Sequence, residues 1–170
     1  PLFQYAGKTY HVFDIAGTKI GVFAVAGPDY ERLLKPETMP APDTSFANRV
    51  ETAQEVVSVL REEERVNAVI LIGHALYEDD VALAQAVPGI DLIFGSHSHR
   101  QEGLTPIPGT DTLIISAFQY LTYISKVELT FKDGILDELS GELVKMSNDL
   151  PENPEISQSV AQMQSELVAD

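Results

Sequence analysis

The chain has 170 residues, enough to bury one sizeable core, and its 44% hydrophobic and 22% charged content is that of a globular protein. Its 11 Lys+Arg against 26 Asp+Glu give a formal net charge of -15, which argues against gripping a nucleic-acid polymer or an anionic membrane. A small phosphate ligand stays open, because a bound cation can outweigh the global charge locally. Cysteine is absent, so disulfide scaffolds, thiolate catalysis and Cys-type zinc fingers are excluded, while reducing and oxidising compartments both stay open. No apolar run is long enough for a bilayer, and Pro1-Leu2-Phe3-Gln4 does not read as the start of a signal peptide.

In chain order, residues 9–26 read as two strands joined by a turn at Ala16-Gly17-Thr18, a hairpin. Residues 27–44 form a connection carrying Pro28, Pro36, Pro40 and Pro42. Phe46, Val50, Ala53, Val57 and Leu60 then recur at helical spacing, with Asp43, Thr44 or Ser45 available as a cap. The charged end Arg61-Glu62-Glu63-Glu64-Arg65 reads as solvated helix. Ala68 to Gly73 is a continuous apolar run, as in a strand covered on both faces. A short helix is expected from Asp79 to Val87, closed by Pro88-Gly89, before a second buried strand at 91–95. Strands follow at 113–116, 123–131 and 135–145, the last two joined by a tight turn at Lys132-Asp133-Gly134. Asn153-Pro154 reads as an N-cap followed by proline at the first helical position. Ile156, Val160, Met163 and Leu167 then mark an amphipathic helix, which either packs on the domain or serves as a linker.

The histidines carry the most chemistry. His74 follows the strand ending at Gly73, and His97 and His99 follow the strand ending at Gly95. Strand, helix and strand over 68–95 make a βαβ unit, whose parallel strands end at one sheet edge, where open α/β sheets bind ligands. In an extended segment His97 and His99 point the same way, so two imidazoles can approach one metal or two neighbouring ones. Glu78, Asp79 and Asp80 are the carboxylates nearest in sequence that could orient His74 from outside. On the residues alone, metal binding and ordinary structural histidines both stay open. His11 reads as a plain polar residue. Ser96 or Ser98 as a nucleophile lacks an orienting third group. Phe118, Tyr120 and Tyr123 read as strand packing. There is no G-x-G-x-x-G, Walker A or G-x-S-x-G motif.

Val69-Ile70-Leu71-Ile72-Gly73-His74, Tyr77-Glu78-Asp79-Asp80, Val87-Pro88-Gly89-Ile90-Asp91 and Gly95-Ser96-His97-Ser98-His99 together resemble the 5'-nucleotidase branch of the calcineurin-like metallophosphoesterases. Ile15 to Phe23 is similar to the hairpin before that family's long helix, and Ser140-Gly141-Glu142-Leu143-Val144 to its closing strand. The resemblance implies an α/β fold, part of a metallophosphoesterase-type αββα sandwich with an antiparallel C-terminal end. It implies a partial catalytic domain over 1–150 and a linker helix over 151–170, leading toward a nucleotide-binding domain. It implies divalent metal ions, Zn or Mn or similar, two in the parent protein. His74 and His97 would serve one and His99 the other, with Asp79 and Asp80 behind them. Three histidines on a single metal is the alternative for this chain by itself.

The family's Asp-x-His and Gly-Asn-His-Glu/Asp segments are absent, and no catalytic residue is assigned. Gly73 replaces the usual Thr before the first His, and Ala75-Leu76 replaces a Leu-Gly pair after it. Phe118, Leu121 and Ser125 stand where the family has glycines. The expected function is that of a fragment of a metal-dependent phosphoester hydrolase, of 5'-nucleotidase or 2',3'-cyclic nucleotide phosphodiesterase type, inactive by itself. The alternative is a diverged, non-catalytic binding or interaction module with a residual or structural metal site. Expected partners are a nucleotide or other small phosphoester and, through an apolar face opposite the helix at 46–60, a second copy. Analogy with the family points to an extracellular, periplasmic or cell-surface location.

Overall fold

Strand β1 (Tyr10–Ile15) and strand β2 (Thr18–Phe23) pair antiparallel in a computed structural model that describes residues 9–33, 46–147 and 149–168. Their two-residue turn works because Ala16 and Gly17 both take positive φ, 52° and 88°, which matches the twist of the flanking strands. Asp14 Oδ1 accepts from the Gly17 N–H at 2.9 Å and closes the turn. A short helix α1 (Asp29–Leu33) follows; the rest of the proline-bearing connection, with the candidate caps Asp43 to Ser45, lies outside the described residues.

Helix α2 (Arg49–Ser58) carries the expected apolar stripe. Its N-cap is Asn48, whose side chain accepts from Val50 N and Glu51 N at 3.0 and 3.2 Å. A π-helical turn over Val59–Glu63 continues it. The charged end is more than solvated helix. Arg61 donates to Gly89 O from Nε and Nη2 (3.2 and 2.9 Å) and to Asp91 Oδ2 at 2.5 Å. Asp91 Oδ2 also accepts from Val69 N at 2.6 Å, so one carboxylate ties the helix end to a core strand. Charge alone conceals this role, because it depends on a loop 28 residues away.

The βαβ unit forms as expected from β3 (Ala68–Ile72), α3 (Tyr77–Ala86) and β4 (Leu92–Gly95). Helix α3 begins earlier than its sequence suggests, because the Tyr77 N–H finds Ser98 Oγ at 2.6 Å. Strand β5 (Gln101–Pro106) escapes a sequence reading. It is a polar edge strand with Gly103, Pro106 and an irregular register, the features by which edges resist further pairing. With β6 (Leu113–Ala117) it completes a six-stranded sheet of order β1-β2-β3-β4-β6-β5. β2, β3, β4 and β6 are mutually parallel, and the two edge strands are antiparallel.

Side-chain alternation divides the core between the two faces of this sheet. Val69, Leu71, Ile93 and Ile114 pack with Ala53, Val57, Leu60, Leu83 and Val87 of the helices and their ends. Each fully buried Leu or Ile there contributes roughly 1.5–3 kcal/mol relative to exposure. Ile70, Leu92 and Ile115 point the other way, onto Val127, Leu129 and Leu143 of a second sheet. That sheet is a hairpin of β7 (Tyr123–Lys132) and β8 (Ile135–Lys145). Its turn places Asp133 and Gly134 at φ 51° and 77°, as a two-residue hairpin loop requires. The result is a mixed α/β architecture in which helices, a large sheet and an antiparallel hairpin form successive layers. Ile72, on the face turned away from α2 and α3, is 53% exposed.

The last helix, α4 (Pro154–Val168), starts as expected. Asn153 Oδ1 accepts from Glu155 N and Ile156 N, and Pro154 opens the helix. Its apolar stripe, Ile156, Val160, Met163 and Leu167, lies exposed. No helix among the described residues is long and apolar enough to cross a membrane.

Candidate metal centre

Three parallel strands deliver their ends to one place. Ile72 pairs with Phe94 at the close of β3 and β4, and the Gly73 N–H continues to Phe94 O at 3.2 Å. The segment after β2 joins them: Ala26 bridges to His74 in parallel, and Gly27 N donates to His74 O at 2.9 Å. His74, His97 and the loop at 26–29 therefore share the carboxyl edge of the sheet.

The imidazoles of His74 and His97 face each other, with His74 Nε2 and His97 Nδ1 3.1 Å apart. Their outer nitrogens are held separately. His74 Nδ1 lies 2.7 Å from Ser96 Oγ, and Ser96 donates its own proton to Gly73 O at 3.0 Å. Toward His74, Ser96 is thus an acceptor, so His74 carries its proton on Nδ1 and bares Nε2. His97 Nε2 lies 2.9 Å from Asp29 Oδ2, whose side chain is 13% exposed. An ionised carboxylate only accepts, so His97 carries its proton on Nε2 and bares Nδ1. In the neutral pair two lone pairs then meet across 3.1 Å, an arrangement that a shared proton or a bound cation relieves. Two nitrogens at ordinary zinc distances on a tetrahedral centre stand roughly 3.3 Å apart, so the pair fits two positions of such a site.

His99 is not in this pair. It has φ 49°, is exposed, and has its ring centroid 6.4 Å from that of Tyr120. Among the described residues no group of three or more His, Cys, Asp or Glu side chains converges where one metal ion would sit.

Asp80 is held by Arg49 and not by His74, whose ring partners are Ser96 and His97. Helix α3 runs behind the strand ends, which buries Asp80 completely beneath the glycines that precede the two histidines. A Cβ on Gly73 would lie 3.0 Å from Asp80 Oδ1, and one on Gly95 3.4 Å from its Oδ2. Arg49 binds this carboxylate at 2.8 Å and also donates to the Asp79 carbonyl at 2.8 Å. Burial pushes the Asp80 pKa up to about 6, against the opposing pull of Arg49. The groups that hold the imidazoles from outside are instead Asp29 and Ser96. Asp29 sits in the Pro/Gly connection, and its only sequence signal was that β2 is a third parallel strand ending at the same edge. Ser96 is no activated nucleophile here, since its proton goes to a backbone carbonyl and not to His74.

The loop after β6 holds Phe118, Tyr120 and Leu121 at φ 65°, 56° and 54°. Tyr120 and Leu121 are among the most exposed apolar side chains described, so they do not serve strand packing.

Two imidazoles thus pair at the carboxyl edge of a mixed sheet on a layered α/β fold. No protein-family model matches the chain. It is 29% identical over 163 residues to the trifunctional nucleotide phosphoesterase YfkN of Bacillus subtilis, covering 93% of this chain and 11% of that protein. It is 27% identical over 168 residues to a 5'-nucleotidase of Vibrio cholerae, covering 82% of this chain and 30% of that one. Among solved structures, the 5'-nucleotidase precursor of Thermus thermophilus superposes with a TM-score of 0.78 at 23% identity, over 95% of this chain and 34% of that one. The sulfate thiohydrolase SoxB of the same organism superposes with a TM-score of 0.82 at 23% identity, over 93% and 29%. The structures establish the fold. The sequence matches make the chain similar to part of proteins named as 5'-nucleotidases and nucleotide phosphoesterases, and it spans about a third or less of their length.

Proposed function

We propose that this chain supplies one metal-binding half of a metal-dependent phosphoester hydrolase acting on a nucleotide or a similar small phosphoester. The facing lone pairs of His74 and His97 support the reading most directly. The pair would hold one divalent cation, Zn or Mn or similar, and His99, set apart, would contribute to a second. A divalent ion in such a place activates water and neutralises charge on a phosphate. The chain's own residues hold the imidazoles in one tautomer and keep Asp80 with its counter-charge below. The names of the relatives support the substrate class.

Two complete metal sites need more ligands than the described residues bring together. The isolated chain is accordingly inactive. The test adds Zn²⁺ or Mn²⁺ to the 170-residue chain and follows both cation binding and hydrolysis of a nucleoside monophosphate. Binding without turnover is expected; turnover of about 1–10³ s⁻¹, ordinary for an enzyme, contradicts this account.

One observation favours a second reading, a non-catalytic module. Phe118 and Leu121 carry side chains on glycine-like backbone, in the loop whose Tyr120 ring lies 6.4 Å from that of His99. Such a module would bind its partner, or a second copy through the face bearing Ile72, equally well after His74, His97 and His99 are all changed to Ala. The hydrolase reading requires that triple variant to lose cation binding.

A further inference from the structure

We infer that Asp29 is a positioning residue for His97, fixing the tautomer that presents Nδ1 to the cation; this rests on the metal reading above. The carboxylate meets His97 Nε2 at 2.9 Å from a nearly buried position. Its other oxygen, Oδ1, is buried with no hydrogen-bond partner among the described residues. Such a group is costly to bury, so its place has to be held by the surrounding backbone. Gly27 provides the room. A Cβ there would stand 2.6 Å from Asp29 Oδ1 and 3.0 Å from the Ala75 Cα. The same glycine is docked on the other imidazole's backbone, its N–H on His74 O at 2.9 Å. One short loop therefore registers the Asp29 carboxylate, the partner of His97, against the strand end that carries His74. An outer partner of this kind sets ring orientation and ligand basicity, and its removal typically weakens metal binding about 10–100-fold.

The experiment combines two readouts on the 170-residue chain and its variants Asp29→Asn, Asp29→Glu and His97→Ala. Nitrogen-15 NMR of the imidazoles reports the tautomer without any cation. Calorimetric titration with Zn²⁺ reports affinity. The expected results are a His97 proton on Nε2 that becomes mixed in Asp29→Asn, zinc binding weaker by about 10–100-fold in that variant, and partial recovery in Asp29→Glu. An unchanged tautomer in Asp29→Asn, or unchanged zinc affinity while His97→Ala loses it, overturns the inference. A wild-type chain that binds no zinc, with the tautomer still set by Asp29, overturns the metal reading and leaves the positioning contact intact.

Discussion

Arg49 Nη2 lies 2.8 Å from Asp80 Oδ1, and the two form an ion pair whose acid is fully buried beneath the glycines at the site edge. Asp80 Oδ2 and Arg49 Nε are buried without partners among the described residues, so the pair is incompletely compensated. That is why burial outweighs Arg49 and lifts the acid's pKa from 3.8 to about 6, with Asp79 adding slightly.

A raised acid pKa means the folded state holds its proton more tightly than the unfolded chain. The stabilising contribution of neutral Asp80 is complete below pH 3.8 and is lost as pH rises through about 6. Across that window Asp80→Asn should gain stability relative to wild type, by up to about 3 kcal/mol. Urea titrations of both proteins at intervals from pH 4 to 7 check this. A difference that stays flat with pH shows that Arg49 keeps the acid ionised throughout.

The strained loop gives a second expectation. Leu121 sits at φ 54° and is 80% exposed, so its side chain loses no packing when removed. A left-handed backbone costs an L-residue roughly 1–2 kcal/mol, offset in part by the larger unfolded-state entropy of glycine. Leu121→Gly should be stabilising by up to about 1 kcal/mol, a rise of about 2–4 °C in Tm for a chain of this size. A fall in Tm shows that the leucine makes a contact that holds the loop.

Arg61 is a structural clamp. Arg61→Ala removes its bonds to Gly89 O and Asp91 and should cost about 1–2 kcal/mol. Thermal unfolding should fall accordingly. No change would return this helix end to a merely solvated one.

Helix α4 leaves its apolar stripe outside the core. Its apolar residues Ile156, Val160, Met163 and Leu167 are exposed, so deletion from Pro151 onward should leave the Tm unchanged within about 2 °C. A clear drop shows that the stripe packs on the domain in solution.

Much of the layered fold is legible in the residues. The unbroken apolar runs at 68–72 and 92–94 announce buried parallel strands, and the turn chemistry at Ala16-Gly17 and Asp133-Gly134 announces two hairpins. What hid was nonlocal or weakly patterned. The polar edge strand β5 has no apolar alternation to detect. Asn48, not an earlier residue, caps α2. At the site, His74 and His97 were legible because strand ends of one βαβ unit must meet. Asp29 was not, because its partner is 68 positions away and nothing in Gly27-Pro28-Asp29 names it. Nearness in sequence points to Asp79 and Asp80 as the carboxylates behind His74. Helix α3 instead turns Asp80 inward to Arg49, which only the packing reveals.

The most direct test of the account is zinc titration of the wild-type chain against His74→Ala, His97→Ala and His99→Ala. The paired geometry predicts one cation per chain, lost on changing either His74 or His97, with its affinity kept within a few-fold in His99→Ala. Equal loss in all three variants, or no zinc bound by the wild type, would contradict it.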